Sequence, residues 1–248
     1  MRYKCVVAYN GLNYVGFQSQ KNGIAIQDVI ESKLKIVFGH DIRLVMASRT
    51  DAGVHAYGQV FHFDSDKELL TWKIKNSLNG LLPKDIHIND VEVVSDDFHS
   101  RFNVVAKKYE YVINLGEYNV FLDGRAYQCY FKVDVAKIKN VAKYFIGTHD
   151  FGSFNTCSYD EYPNQVRTIH RLDAIEDGDL LKIEVVGDGF LRHMVRMIVG
   201  TLIDLGRGKK STEEVIEMIK TPNKHTRRYN IDPNGLYLCE IYYEEKEW

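Results

Sequence analysis

A carboxylate and a guanidinium lie two residues apart in Ser48-Arg49-Thr50-Asp51-Ala52-Gly53-Val54-His55-Ala56. The segment separates two apolar runs, Ile42-Arg43-Leu44-Val45-Met46 and Gln59-Val60-Phe61-His62-Phe63, and both runs read as strands. An ionised aspartate in such a loop can form a covalent adduct or take up a proton. Taken alone, it can equally cap a helix or make an Asx turn, and Arg49 can be a surface charge.

Two further arginines, Arg192 and Arg196, are spaced i, i+4 in "GFLRHMVRMIVG" and are expected on one helical face. Arg196 has Val195, Met197 and Val199 around it, which predicts partial burial, and a buried arginine needs an acidic partner. Tyr109 and Tyr111 alternate in "KKYEYVI", so both face one side of a sheet, either as core or as rings able to stack on a base. Other chemistries find no support. "GDGFLR" carries only two glycines of a dinucleotide fingerprint, the histidines lack ligand spacing, and no serine sits in a GxSxG elbow.

The elements that must position these groups show two hydrophobic periods. "YKCVVAYN", "IHINDVEVV", "KKYEYVINL" and the closing "GLYLCEIYY" read as strands, and "TIHRLDAIEDGDLLKIEVV" reads as a hairpin turning at Asp177-Gly178. Ile26, Val29, Ile30, Leu34, Val37 and Phe38 share a helical face that Gly39 ends. A second helix is expected from about Asp66 to Asn79, closed by Gly80 and Pro83. Asp134 can cap a third, which Gly147 stops. A fourth runs through Leu191, Met194, Ile198, Leu202 and Leu205, and Ser211-Thr212-Glu213-Glu214 is a capping box for a fifth. Strands with helices set against them in each half predict an α+β architecture.

Bulk properties agree with a globular chain: 248 residues, 45% apolar, 27% charged and a net charge of −2. The window from Lys182 to Arg228 is locally basic, although a solvated mixed surface also accounts for it. Cys5, Cys129, Cys157 and Cys239 are scattered without a CxxC, which suggests neither a zinc site nor a disulfide framework and fits a reducing cytoplasm. The start, "MRYKCVVAY", reads as a strand rather than a signal peptide, and no apolar run approaches the ~20 residues of a membrane helix.

In order and spacing, "AYNGLNYVGFQSQ", "SRTDAGVHAYGQVFHF", "LNGLLPKDIHI", "RFNVVAKKYEYVI", "FIGTHDFGSF", "RTIHRLD" and "GFLRHMVRMIVGTL" resemble the tRNA pseudouridine synthase A family over nearly the whole chain. The resemblance implies two pseudo-symmetric α/β halves, residues 1–113 and 114–248. They would share a long mixed, mainly antiparallel sheet with helices on one face and a central RNA-binding cleft. The segment 114–130 is the expected joint. It also implies a homodimer that holds tRNA and isomerises uridine to pseudouridine in the anticodon stem-loop, with no cofactor, no metal and no membrane. In this resemblance Asp51 is the catalytic aspartate, Tyr109 stacks on the target base, Arg196 pairs with Asp51, and Arg49 helps extrude the target nucleotide. A cationic neighbour lowers an aspartate pKa by ~1–3 units, which would offset the effect of burial.

Phe17, Ser48, Met197 and Cys129 depart from the residues usual in the family, and "NIDPNGL" replaces its TAPPxGL. These departures leave two alternatives in view. One is a paralogue acting on ribosomal or other structured RNA; the other is an RNA-binding or RNA-folding protein without catalysis.

Overall fold

A computed structural model describes residues 1–226 and 229–248; Arg227 and Arg228, at the end of the basic window, lie outside the described residues. The chain is α+β and forms two compact units. The first comprises residues 1–105 and 237–245, the second residues 106–236 and 246–248.

The first unit is built on strands β1 (Arg2–Tyr9), β2 (Val45–Met46), β3 (His55–Asp64) and β4 (Ile86–Val94), with helices α1 (Ile26–Phe38) and α2 (Thr71–Leu81). β1 lies between β4 and β3 and is antiparallel to both, while β2 adds to β3 across Met46–Phe61. The apolar residues of β1 alternate, so Tyr3, Cys5, Val7 and Tyr9 are buried on one face. α1 closes that face: Ile26, Ile30, Leu34 and Phe38 are buried, and the Phe38 ring packs edge-on to Phe63, 5.4 Å between centroids. Gly39, at φ 85°, ends the helix as its position predicts.

α2 starts at Thr71 rather than near Asp66, and Gly80 lies inside it. The backbone of Leu69 is engaged by a tertiary partner instead of a helical one: Tyr3 Oη accepts from its N–H at 2.9 Å and donates to its carbonyl at 3.1 Å. The apolar run before the Asp51 loop also shortens, because only Val45 and Met46 pair with β3.

The second unit contains β5 (Ala106–Asn114), β6 (Tyr127–Gln128), β7 (Gly147–Asp150), β8 (Val166–Asp177) and β9 (Leu180–Gly187), with helices α3 (Val135–Ala142), α4 (Met194–Gly206) and α5 (Thr212–Lys220). The strand order β5-β9-β8-β7 is antiparallel throughout, and β6 pairs parallel with the end of β5. Residues 114–130 thus belong wholly to this unit, and the boundary expected at 113 falls within β5. The closing strand β10 (Leu236–Tyr242) returns to the first unit, where Tyr237 and Leu238 pair parallel with His55 and Ala56 of β3.

α4 is apolar nearly all round and correspondingly buried from Met194 to Ile203. It begins two residues after Arg192, because His193 sits at φ 63°, outside the helical region. The expected helical face shared by Arg192 and Arg196 is therefore absent: Arg192 is exposed ahead of the helix and Arg196 is buried within it. The cap residues behave as their types dictate. Asp134 accepts from Lys137 N–H, and Ser211 and Glu214 form the reciprocal capping box. The four cysteines are free thiols. No helix among the described residues is long and apolar enough to cross a membrane.

Candidate active site

Residues 47–54 connect β2 to β3, and buried polar contacts within the first unit hold them. One set of these contacts comes from Gln59, a fully buried amide on β3. Its Nε2 donates to Ser48 O at 2.7 Å, and its Oε1 accepts from Ser48 N at 3.3 Å and from Val60 N at 3.2 Å. Two residues on, Thr50 Oγ1 lies 2.8 Å from Tyr9 Oη, and Thr50 O accepts from Phe17 N. The turn itself is closed by Val54 N donating to Asp51 O at 3.2 Å, with Gly53 at φ 78°. Gly53 N donates to Tyr14 O.

The segment "NGLNYVGF" accordingly forms the bed on which the aspartate loop lies. Gly16 makes the approach possible. Its φ is 110°, and a Cβ there would stand 2.5 Å from Thr50 O. The bed is pinned in turn by Tyr14 Oη donating to Asp85 at 2.8 Å, and burial with that carboxylate pushes the Tyr14 phenol up. On this support the Asp51 side chain is half-buried, Arg49 is exposed, and Thr50 between them points inward. In the Arg-Thr-Asp order the middle residue is thus anchored, with an exposed cation before it and a half-buried carboxylate after it. His55 begins β3 and stacks on Tyr237, which stacks in turn on Tyr57 at 4.9 Å.

The second unit carries the other residues singled out from the sequence. Tyr109 lies opposite Val185 of β9 and packs edge-on to Phe190, 5.2 Å between centroids. It is 5% exposed. Arg196 is 9% exposed, and its Nε donates to Ile231 O at 2.7 Å. The neighbouring carbonyl, Asp232 O, accepts from Tyr111 Oη at 2.6 Å. Burial pushes the Tyr111 phenol up, Asp232 adds to this, and the Arg196 cation opposes it. α4, β5 and residues 229–235 are in this way tied at two successive carbonyls, and "NIDPNGL" lies directly on Arg196.

Tyr109 and Arg196 are therefore placed in one unit, and Asp51 and Arg49 in the other. Two contributors are not evident from the sequence reading. Gln59 lies in a strand pattern, and its only signal is an amide at the head of the apolar run Val60-Phe61-His62-Phe63. Phe190 lies in "GDGFLR", which carries only two glycines of a dinucleotide fingerprint. Gly187 leaves room for it and for a backbone carbonyl: a Cβ there would stand 2.7 Å from Thr168 O and 3.1 Å from the Phe190 ring.

A family model described as tRNA pseudouridine synthase matches residues 5–103 and 141–244. Among curated relatives, tRNA pseudouridine synthase A of Exiguobacterium sibiricum is 38% identical over 246 residues, covering 99% of this chain and 98% of that protein. The protein of the same name from Bacillus licheniformis is 40% identical over 247 residues, covering 98% of this chain and 100% of its own. That of Bacillus subtilis is 38% identical with the same coverage.

Proposed function

Because the chain belongs to the tRNA pseudouridine synthase family, we propose that it isomerises uridine to pseudouridine in the anticodon stem-loop of tRNA, with Asp51 as the catalytic carboxylate. The enzyme class is that of its relatives: a tRNA pseudouridine synthase, an isomerase. The observation that carries the assignment of Asp51 is the turn from Ser48 to Val54. Gln59 and Tyr14 hold its backbone, Tyr9 holds the Thr50 side chain, and this one carboxylate is left half-buried where the turn begins.

The reaction breaks the N1–C1′ bond, turns the uracil and joins C5 to C1′. The hydrogen on C5 leaves as a proton and N1 gains one, so the atoms balance without oxidant or reductant. The reacting atoms are hidden in a stacked loop, so the nucleotide is flipped out first. Asp51 acts ionised, as nucleophile or as proton acceptor. Arg196 is assigned as the cation that keeps it so, and this pairing rests on the family resemblance. Tyr109 stacks on the freed uracil, a contact worth roughly 1–3 kcal/mol. Arg49, exposed beside Asp51, takes the place of the extruded nucleotide. The working form is a homodimer in the cytoplasm, again by resemblance.

Asp51→Asn tests the assignment with almost no change of shape. The variant should bind tRNA and melt like the parent while forming no pseudouridine. Normal product formation would remove Asp51 from the chemistry. The departure of "NIDPNGL" beside Arg196 favours one second reading, action on another structured RNA. Mapping pseudouridine in total RNA with and without the gene separates the two.

A further inference from the structure

Phe102 is the most exposed large apolar side chain of the first unit, 74% exposed. A phenylalanine in a loose loop turns inward to bury its ring. This one cannot, because the turn that carries it is locked. His99 Nδ1 accepts from both Arg101 N and Phe102 N at 3.2 Å, Asn103 N donates to His99 O, and Asn103 Oδ1 accepts from His99 N. Ser100, fully buried, anchors the turn to the sheet. Its N–H donates to His62 Nδ1, its Oγ donates to Val45 O at 2.6 Å, and its carbonyl accepts from Tyr243 Oη.

The His99 imidazole lies against the Phe102 ring, 4.1 Å between centroids at 24°. The Arg101 guanidinium stands 5.9 Å from the centre of the same ring, and Arg101 makes no ion pair among the described residues. A stack with one face covered, on a side chain this exposed, offers a flat surface to another planar group. A free cation at its margin suits a group that carries a phosphate.

We propose that His99, Phe102 and Arg101 form a second RNA-contacting platform, on which an unpaired base of the substrate stacks with an adjacent phosphate at Arg101. The proposal rests on the reading of the chain as a tRNA pseudouridine synthase. Its place in the unit suits that role. Ser100 is fastened to Val45, six residues before Asp51, and six residues of extended chain span at most roughly 20 Å. That length corresponds to a few nucleotides, so one RNA reaches both. The contact is away from the reacting atoms and governs binding rather than turnover.

The test uses the full-length protein and unmodified tRNA transcript, with Phe102→Ala, Phe102→Leu, Phe102→Trp and Arg101→Gln. The loss of one base-stacking contact corresponds to about 5- to 150-fold weaker binding. Phe102→Ala and Phe102→Leu should show that loss, with KM raised in proportion and kcat at saturating tRNA unchanged. Phe102→Trp should bind within about twofold of the parent, and Arg101→Gln should lower the slope of log affinity against log salt by about 1. The proposal is overturned if Phe102→Ala binds tRNA like the parent, or if Phe102→Leu does so. It is equally overturned if Phe102→Ala changes the oligomeric mass while affinity per protomer stays constant, since the ring then belongs to a contact between copies. Absence of pseudouridine formation by the parent protein would sink the functional reading instead, and the binding arm would still judge the platform.

Discussion

Replacing Gln59 tests whether the aspartate loop owes its position to one buried amide. Gln59→Leu keeps most of the side-chain volume and removes three hydrogen bonds, two to Ser48 and one to Val60 N. Ser48 is 8% exposed, so its N–H and carbonyl have little access to water in compensation. Each buried backbone group left unpaired costs about 1–3 kcal/mol, giving roughly 2–6 kcal/mol for the pair. Arg49 next door is exposed, so water can reach part of the site, and the low end of that range, ~2–3 kcal/mol, applies. At about 2–4 °C per kcal/mol for a chain of this size, the melting temperature falls by roughly 4–12 °C. The effect on rate is larger than the effect on stability. A displacement of about 1 Å at a reacting group costs up to ~100-fold, so kcat should fall by roughly 10- to 100-fold while tRNA affinity stays within a few-fold. Gln59→Glu is the control for volume: it can still accept from Ser48 N and Val60 N, but it sets an oxygen against Ser48 O, and it should not rescue. Thermal melts by circular dichroism, tRNA binding and pseudouridine yield at saturating tRNA read the three quantities. A Gln59→Leu protein with parental kcat and melting temperature would refute the positioning role.

Arg196→Met should remove the bond to Ile231 O and leave a buried carbonyl unpaired, lowering stability by about 1–3 kcal/mol and abolishing turnover; Arg196→Lys should not restore it, because an ammonium lacks the guanidinium fork. Parental turnover in either variant would dismiss the role given to this side chain. His62 sets a pH dependence of stability. Burial, then Arg2 and His99, push its pKa down to about 4 against Asp64, from an unfolded value near 6.5. The unfolded chain therefore binds the extra proton first as pH falls. The contribution of neutral His62 is present above about pH 6.5 and is lost between there and about pH 4. Urea melts of the parent and His62→Asn at pH 7.5 and 5 should show the parent losing more stability, and parallel changes would exclude His62 as the cause.

What could be read along the chain was whatever depends on neighbours in sequence. Apolar spacing placed α1 and its buried face, Gly39 and Asp134 marked helix ends by their own backbone and side-chain chemistry, and the Asp177-Gly178 turn announced the β8–β9 hairpin. The motif around Asp51 led to the family, because residue types in fixed order are a property of sequence. Only the tertiary structure decided what holds that motif. Hydrogen bonds from Gln59 to Ser48, from Arg196 to Ile231 and from Tyr111 to Asp232 join residues 11, 35 and 121 positions apart. No local period encodes such pairs. The same long-range bonding delayed α2 to Thr71 by engaging Leu69 with Tyr3, and the backbone of His193 placed Arg192 outside α4. Periodicity records which face of an element avoids water. It carries no record of which distant polar group will meet a backbone amide once the chain has closed on itself, and in this protein those meetings position the residues assigned to the chemistry.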